Sequence, residues 1–351
     1  MPVTLHQTQA LTMPPLKKYV VKTLVDESPV YERIPFENQD QLSQIVPYIS
    51  NIKAPSMRNL NQAGSEALAD FAQVANALSI YDIDIPLDPV ILMQKNMIQD
   101  PRQAQIDAQT KAFAYQLVED YINSVAVSNN GKFDGLFTQL DSNPRFNGQV
   151  VNASANTAEV VLAPGTVTDA QAHGFLYNLN NLRRKVAPVV KPDATNNLCF
   201  ISNSIYILQF GAILRQLKLL DYNRDQFDRQ VYMYDGTPFL DAGFTPEGAV
   251  SGSDPSAGTK GNWVIGYDSY APSTANGANA YDKTTPLACV HFGKDYAMGT
   301  QMQGLMVKDR ERDTSPYYRV IQIRWVVNPA TMWQRRSAAW LVGYNLSGTT
   351  S

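Results

Sequence analysis

The chain has 351 residues, of which 44% are hydrophobic and 17% charged, with a formal net charge of −3. That length suits one large or two modest domains, and the slight negative charge argues against a protein whose main task is gripping phosphate backbones while leaving room for weak nucleic-acid contact on one face. Cys199 and Cys289 are too few and too far apart for a disulfide framework or a cysteine zinc site, and no run of ~18 apolar residues is present to span a membrane. Few charges beside 18 Tyr and 13 Phe leave much aromatic and uncharged surface, which suits either extensive subunit contacts or many long loops. Both cysteines sit in apolar runs and are expected as buried free thiols, as in a reducing cytoplasm.

In chain order, residues 1–27 carry Met13-Pro14-Pro15 and little periodicity, and are expected to form an extended N-terminal arm without a signal peptide. Residues 28–99 follow as a long excursion. Strand-like runs at Val30–Phe36 and Ile80–Leu87 bracket a middle broken by Pro47, Pro55 and Gly64. Structureless loops beyond ~12–15 residues are uncommon unless functional or disordered, so this excursion is expected to be an arm buried on another chain.

Asp100, Pro101 and Gln103 give an N-cap, a first-position proline and a capping-box residue. Ile106, Phe113, Ala114, Leu117, Val118, Tyr121 and Val125 then form one apolar stripe of a helix running to about Val127. Short strands are expected at Gly148–Asn152 and Ala158–Leu162, and a second helix is capped by Thr168 with Gln171 in the capping-box position. A buried strand at Asn196–Ile201 precedes a third helix at Ser204–Leu220. Val231–Tyr234 and Thr237–Leu240 flank Asp235-Gly236, a hairpin-turn signal. Residues 244–284, rich in Gly, Ser, Ala, Asn and Thr, are expected to form an exposed insertion. The remainder is strand-rich: Leu287–Phe292, Leu305–Lys308, Tyr317–Val327 and Ala338–Tyr344. Without regular alternation of strand and helix, the class is α+β.

Catalysis needs a cluster of reactive side chains, and none has convincing spacing. His6, His173 and His291 are scattered, and nucleophile-elbow and phosphate-loop motifs are absent. Asp82 and Asp84 alternate with Ile83 and Ile85, which marks the solvent face of a strand. Arg183-Arg184-Lys185, the densest basic run, is expected to be a solvated or dipole-complementing helix C-terminus, with a DNA contact as the alternative. No cofactor or metal is expected, and no enzymatic activity.

The order of these features resembles the major capsid protein of tailed bacteriophages, with its HK-ninety-seven-type fold. Ser28–Gln99 resembles that family's extended hairpin loop, with Arg58-Asn59-Leu60-Asn61-Gln62-Ala63 like the polar run after its tip, and Asp100–Val127 resembles its spine helix. Gly131-Lys132-Phe133-Asp134-Gly135-Leu136 is similar to the turn after that helix. Asp228–Phe239, containing Tyr234-Asp235-Gly236-Thr237-Pro238, is similar to the axial-domain hairpin. Val290-His291-Phe292-Gly293, Gly304-Leu305-Met306-Val307, the strand Tyr317–Val327 and Arg335-Arg336-Ser337-Ala338-Ala339 complete the likeness, which runs from about Val30 to Leu346.

The resemblance implies an N-terminal arm (1–27), an extended loop (28–99), a peripheral domain with the spine helix (100–192), an axial domain (193–310) and C-terminal strands returning to the peripheral domain (311–351). It implies hexamers and pentamers tiling an icosahedral shell around double-stranded DNA, a virion protein assembled in the bacterial cytoplasm. Partners would be further copies of itself, a separate scaffolding protein or none, portal and decoration proteins, and weak sequence-independent contact with packaged DNA, with no membrane. The inter-subunit contact candidates at the loop tip are Tyr48, Lys53, Met57, Arg58, Asn59 and Asn61. Some members cross-link a loop lysine; Lys53 is the sole candidate near the tip here, and a solvated lysine is the expectation. An encapsulin-type nanocompartment shell shares the fold and is the alternative.

Overall fold

The computed structural model describes residues 15–52, 57–58, 60–61, 69–87, 101–126, 131–146, 148–152, 160–162, 167–187, 197–219, 221–224, 230–243, 265, 286–310 and 319–345. Its first element corrects the expected extended arm: Pro15–Glu27 is a helix, α1. Val20, Val21, Leu24 and Val25 recur at helical spacing, and all are buried. Their cluster packs on α3, the spine helix Pro101–Asn123. Polar bonds fix the register: Tyr115 Oη donates to Glu27 (2.7 Å) and Lys111 pairs with Glu27 at 3.0 Å. Burial first, then Glu27, pushes the Tyr115 phenol up to about 12.

The strand expected at Val30–Phe36 is also corrected. Pro29–Arg33 is a short helix, α2, because Pro29 stands at a helix start, where its fixed φ and missing N–H cost nothing. Only Phe36–Asn38, β1, is strand. Next come β2 (Ser43–Ile52), β3 (Ala69–Ala77) and β4 (Ser79–Leu87). The apolar stripe of α3 is buried as expected from Ile106 to Tyr121, whereas Val125 is exposed because the helix ends at Asn123. The following turn ends it there: Asp134 Oδ1 accepts the Ala126 N–H (2.8 Å) and Gly135 N donates to Ser124 O (2.7 Å). A Cβ on Gly135 would lie 2.7 Å from Ile122 O, so only glycine closes this turn. The Asp100 cap lies outside the described residues.

Helix α4 (Leu136–Ser142) leads to β5 (Val150–Asn152), β6 (Val160–Val161) and α5 (Asp169–Val186). The capping box on α5 is formed, with Thr168 and Gln171 bonding reciprocally. After β7 (Leu198–Ser202) comes α6 (Ser204–Gln216), then β8 (Asp221–Arg224), β9 (Gln230–Tyr234) and β10 (Thr237–Asp241). The turn joining β9 and β10 has φ +47° at Asp235 and +73° at Gly236, the left-handed pair a tight hairpin requires. Apart from Ile265, the expected insertion at 244–284 lies outside the described residues.

The chain closes with β11 (Leu287–His291), β12 (Ala297–Arg310), β13 (Arg319–Met332), β14 (Ala338–Val342) and β15 (Tyr344–Asn345). Strand β13 runs past Val327, the end expected from the sequence, to Met332. Pro329 is accommodated because the register with β12 shifts there, between Met298 and Thr300, so the ladder asks no N–H of it.

Two sheets organise the molecule. One has the order β1-β12-β13-β4, the other β5-β14-β11-β7-β10-β9-β8. The larger sheet is not confined to residues 193–310, since it takes β5 and β14 from outside them. Its central strands are buried on both faces, and side-chain alternation divides them between two cores. Phe200, Cys289, Ala339 and Leu341 join α5 and α6, while Cys199, Ile201, Val290 and Trp340 join α3, α4 and the smaller sheet. The two cysteines are free and buried, and burial pushes the Cys289 thiol up.

Candidate assembly surface

One part of the fold is largely exposed among the described residues. Strands β2 and β3 pair only with each other, from Ser43↔Ala77 to Ile52↔Ala69, as a separate two-stranded sheet. Ten residues at ~3.3 Å each make an arm about 33 Å long. Ile45, opposite Ala75, and Phe71, opposite Ile49, stand on one face by strand alternation, and they are 63% and 72% exposed. Near the tip Met57 is fully exposed, Leu60 is 93% exposed and Asn61 turns the chain at φ +68°. An isolated two-stranded hairpin is marginal in water, and this one exposes apolar side chains.

The excursion seen in the sequence therefore splits. Residues 28–38 and β4 belong to the body: Val30, Tyr31, Ile34, Phe36 and Ile85 are core residues, and β4 pairs with β13 along Ser79–Leu87. The hairpin between them is the arm proper. On β4 the expected solvent face is present, with Asp82 accepting from Gln322 (2.9 Å) and from Arg324 Nε (2.9 Å) of β13.

The arm is set on the body by a buried polar knot. Asn76 Nδ2 donates to Thr300 Oγ1 (3.1 Å), and its Oδ1 accepts from Asn328 Nδ2 (2.8 Å) and Thr331 Oγ1 (3.2 Å). Asn328 Nδ2 also donates to Ala77 O (3.0 Å), and Leu78 N donates to Leu42 O (2.9 Å) across the root. Four polar side chains satisfying one another at the base fix the arm's exit direction, because each bond broken would leave a buried group unpaired. A groove of about 400 Å³, lined by Glu37, Asp40, Gln44 and Trp333 among others, opens on one side of the root. A smaller one of about 140 Å³ lies against Ala75, Ala77, Lys132 and Asn328.

Of the tip residues singled out in the sequence, Met57, Arg58 and Asn61 are exposed, and Tyr48 is in β2 opposite Ala72. Lys53 and Asn59 lie outside the described residues. Sequence reasoning missed Asn76, Thr300, Asn328 and Thr331. They are isolated polar residues up to 255 positions apart, and only the fold unites them.

No group of three or more His, Cys, Asp or Glu side chains among the described residues could hold a metal ion. His173 is exposed on α5, while His291 is buried in β11 and stacked on Tyr296 at 3.9 Å. His6 lies outside the described residues. Arg183 corrects the solvated basic run: it is buried and ion-paired with Asp235 in the β9–β10 turn.

No protein-family model and no curated protein matches the chain. Solved structures match it along most of its length. The holo-SrpI encapsulin complex of Synechococcus elongatus PCC 7942 superposes with a TM-score of 0.54 at 12% identity, covering 96% of this chain and 90% of that one. A structure from Microbacterium phage Oxtober96 gives 0.51 at 10% identity, with 91% of each chain covered. The capsid of an empty GTA particle gives 0.50 at 13% identity, covering 91% and 90%. The chain has the HK-ninety-seven-type capsid fold, as the order of its motifs implied.

Proposed function

We propose that the chain is a major capsid protein of a tailed bacteriophage, assembling through hexamers and pentamers into an icosahedral shell around double-stranded DNA. The observation that carries this reading is the arm, an apolar-faced hairpin of two strands whose Ile45 and Phe71 no described residue covers. Burying Ile45 and Phe71 on a neighbour would contribute roughly 1.5–3 kcal/mol each. Association costs on the order of 4–15 kcal/mol in lost freedom, so one arm alone does not hold two subunits together. In a closed lattice every subunit both gives and receives an arm, and many modest interfaces sum. In this reading the residues that meet the neighbour are Tyr48 on β2, Met57, Arg58 and Asn61 near the tip, and Lys53 and Asn59. A scaffolding protein, portal and decoration proteins are its further partners in this reading.

An encapsulin-type shell is the second reading, favoured by the shared fold with the SrpI encapsulin complex. Electron microscopy of the purified chain separates the cases. Closed shells tens of nanometres wide that hold nucleic acid support the capsid reading; shells that hold protein cargo support the second. A chain that stays monomeric at high concentration, with and without a scaffolding partner, overturns both.

A further inference from the structure

The C-terminus of α5 and the turn Arg335–Ser337 bring four cations onto one surface. Arg184 and Lys185 occupy the last turn of α5, and Arg335 and Arg336 begin the 3-10 turn packed against it. One member of each pair, Lys185 and Arg335, meets at Gly148. Lys185 Nζ donates to Gly148 O (2.5 Å), and a Cβ on Gly148 would lie 2.9 Å from Arg335 Nη2. Gly148 also has φ +82°, so glycine serves there twice, by conformation and by leaving room for the guanidinium. Burial first, then Arg335, holds the Lys185 ammonium below its ordinary value, so the fold keeps like charges close at some cost. Arg184, Lys185 and Arg336 form no ion pair with any described residue. Arg183, the neighbour in sequence, is neutralised by Asp235.

We propose that Arg184, Lys185, Arg335 and Arg336 form a binding surface for the phosphate backbone of double-stranded nucleic acid. Three of the four are arginines, whose planar donor forks match phosphate oxygens. The cluster contains no aromatic side chain. The exposed aromatic of this helix, Tyr177, stands two turns from Arg184, about 10 Å along the axis. Single-strand binders line their charge with stacking platforms, so the arrangement favours a duplex. Placing this surface on the inner wall of a shell rests on the proposed function; the binding itself does not.

The test is fluorescence anisotropy of a labelled duplex of arbitrary sequence with the full chain, between 50 and 200 mM salt. Four phosphate contacts give a loss of affinity of about 150-fold across that range, and two give about 10-fold. Arg184→Gln with Arg336→Gln removes side chains that make no bond within the described subunit, and should take the protein from the first value to the second while its thermal midpoint stays unchanged. An unchanged salt slope in that variant, or tighter binding of a single strand, overturns the proposal. Polyglutamate of matched charge competing as well as the duplex would also overturn it, assigning the surface to an acidic protein segment. If the chain formed no shells yet bound duplex as described, only the inner-wall placement would fall.

Discussion

Gly299 offers the sharpest check on how the body packs around β1. It pairs with Phe36 in the parallel β1–β12 ladder, and its N–H donates to Pro35 O at 2.8 Å. A Cβ there would lie 2.4 and 2.5 Å from Phe36 Cε1 and Cδ1 and 3.2 Å from Ile34 Cγ2. The ring has little room to retreat, being held by Trp325 at 5.2 Å and Tyr31 at 6.4 Å between centroids. Overpacking of this kind costs about 1–3 kcal/mol, and contacts this short place Gly299→Ala near ~3 kcal/mol. Phe36→Leu should cost about 1–1.5 kcal/mol by itself, as a change of shape in the core. Because the smaller side chain vacates the collision, the double variant should cost about 2 kcal/mol rather than the sum, a coupling of roughly 2 kcal/mol. Urea unfolding of the unassembled subunit, followed by tryptophan fluorescence, reads all three values, with Trp325 reporting directly on the site. Additive effects, or a Gly299→Ala variant within ~0.5 kcal/mol of the parent, would show that the ring is not held as described.

Two further outcomes follow from buried polar groups. Asn203 caps α6, accepting from Tyr206 N (2.7 Å), and also donates to Ile265 O (2.9 Å), so Asn203→Ala should cost about 2 kcal/mol in the same urea assay. Burial holds the His291 imidazole below its ordinary value of 6.5, so protonation favours the unfolded chain. Stability from this group is therefore fully present above that value and lost as pH falls below it through the lower folded value. Midpoints measured from pH 7.5 to 5.5 should decline, and His291→Asn should flatten the decline; an equal slope in the variant would mean that other groups carry it.

Local signals in the sequence marked the elements with self-contained chemistry. The α3 stripe, the Thr168–Gln171 box and the Asp235-Gly236 turn each depend on residues within one or two turns of one another. Helix α1 was passed over because Val20, Val21 and Val25 are β-branched and its apolar face is narrow, so its helicity rests on packing against α3. The end of β13 lies beyond the expected Val327, and the register shift that admits Pro329 belongs to the pairing with β12, which the local sequence does not show. The arm was legible as a region with too little to bury. Its limits were not, because β1 and β4 find their partners more than 200 residues away. The Asn76 knot was beyond local reading for the same reason; the basic run at the end of α5 was legible, and the approach of Arg335 and Arg336 to it was not.

The most direct measurement is assembly without the arm. Gln44 and Asn76 face each other across the hairpin, so replacing Ile45–Ala75 with an Asn-Gly turn removes the arm and keeps the Asn76, Thr300, Asn328 and Thr331 bonds. Circular dichroism and urea unfolding then report the subunit, and electron microscopy reports the shell. A folded subunit with stability within about 1 kcal/mol of the parent that no longer closes shells is the expected result. Shells that still close and persist as the parent's do, or a subunit that fails to fold, would contradict an arm whose burial lies on a second copy of the chain.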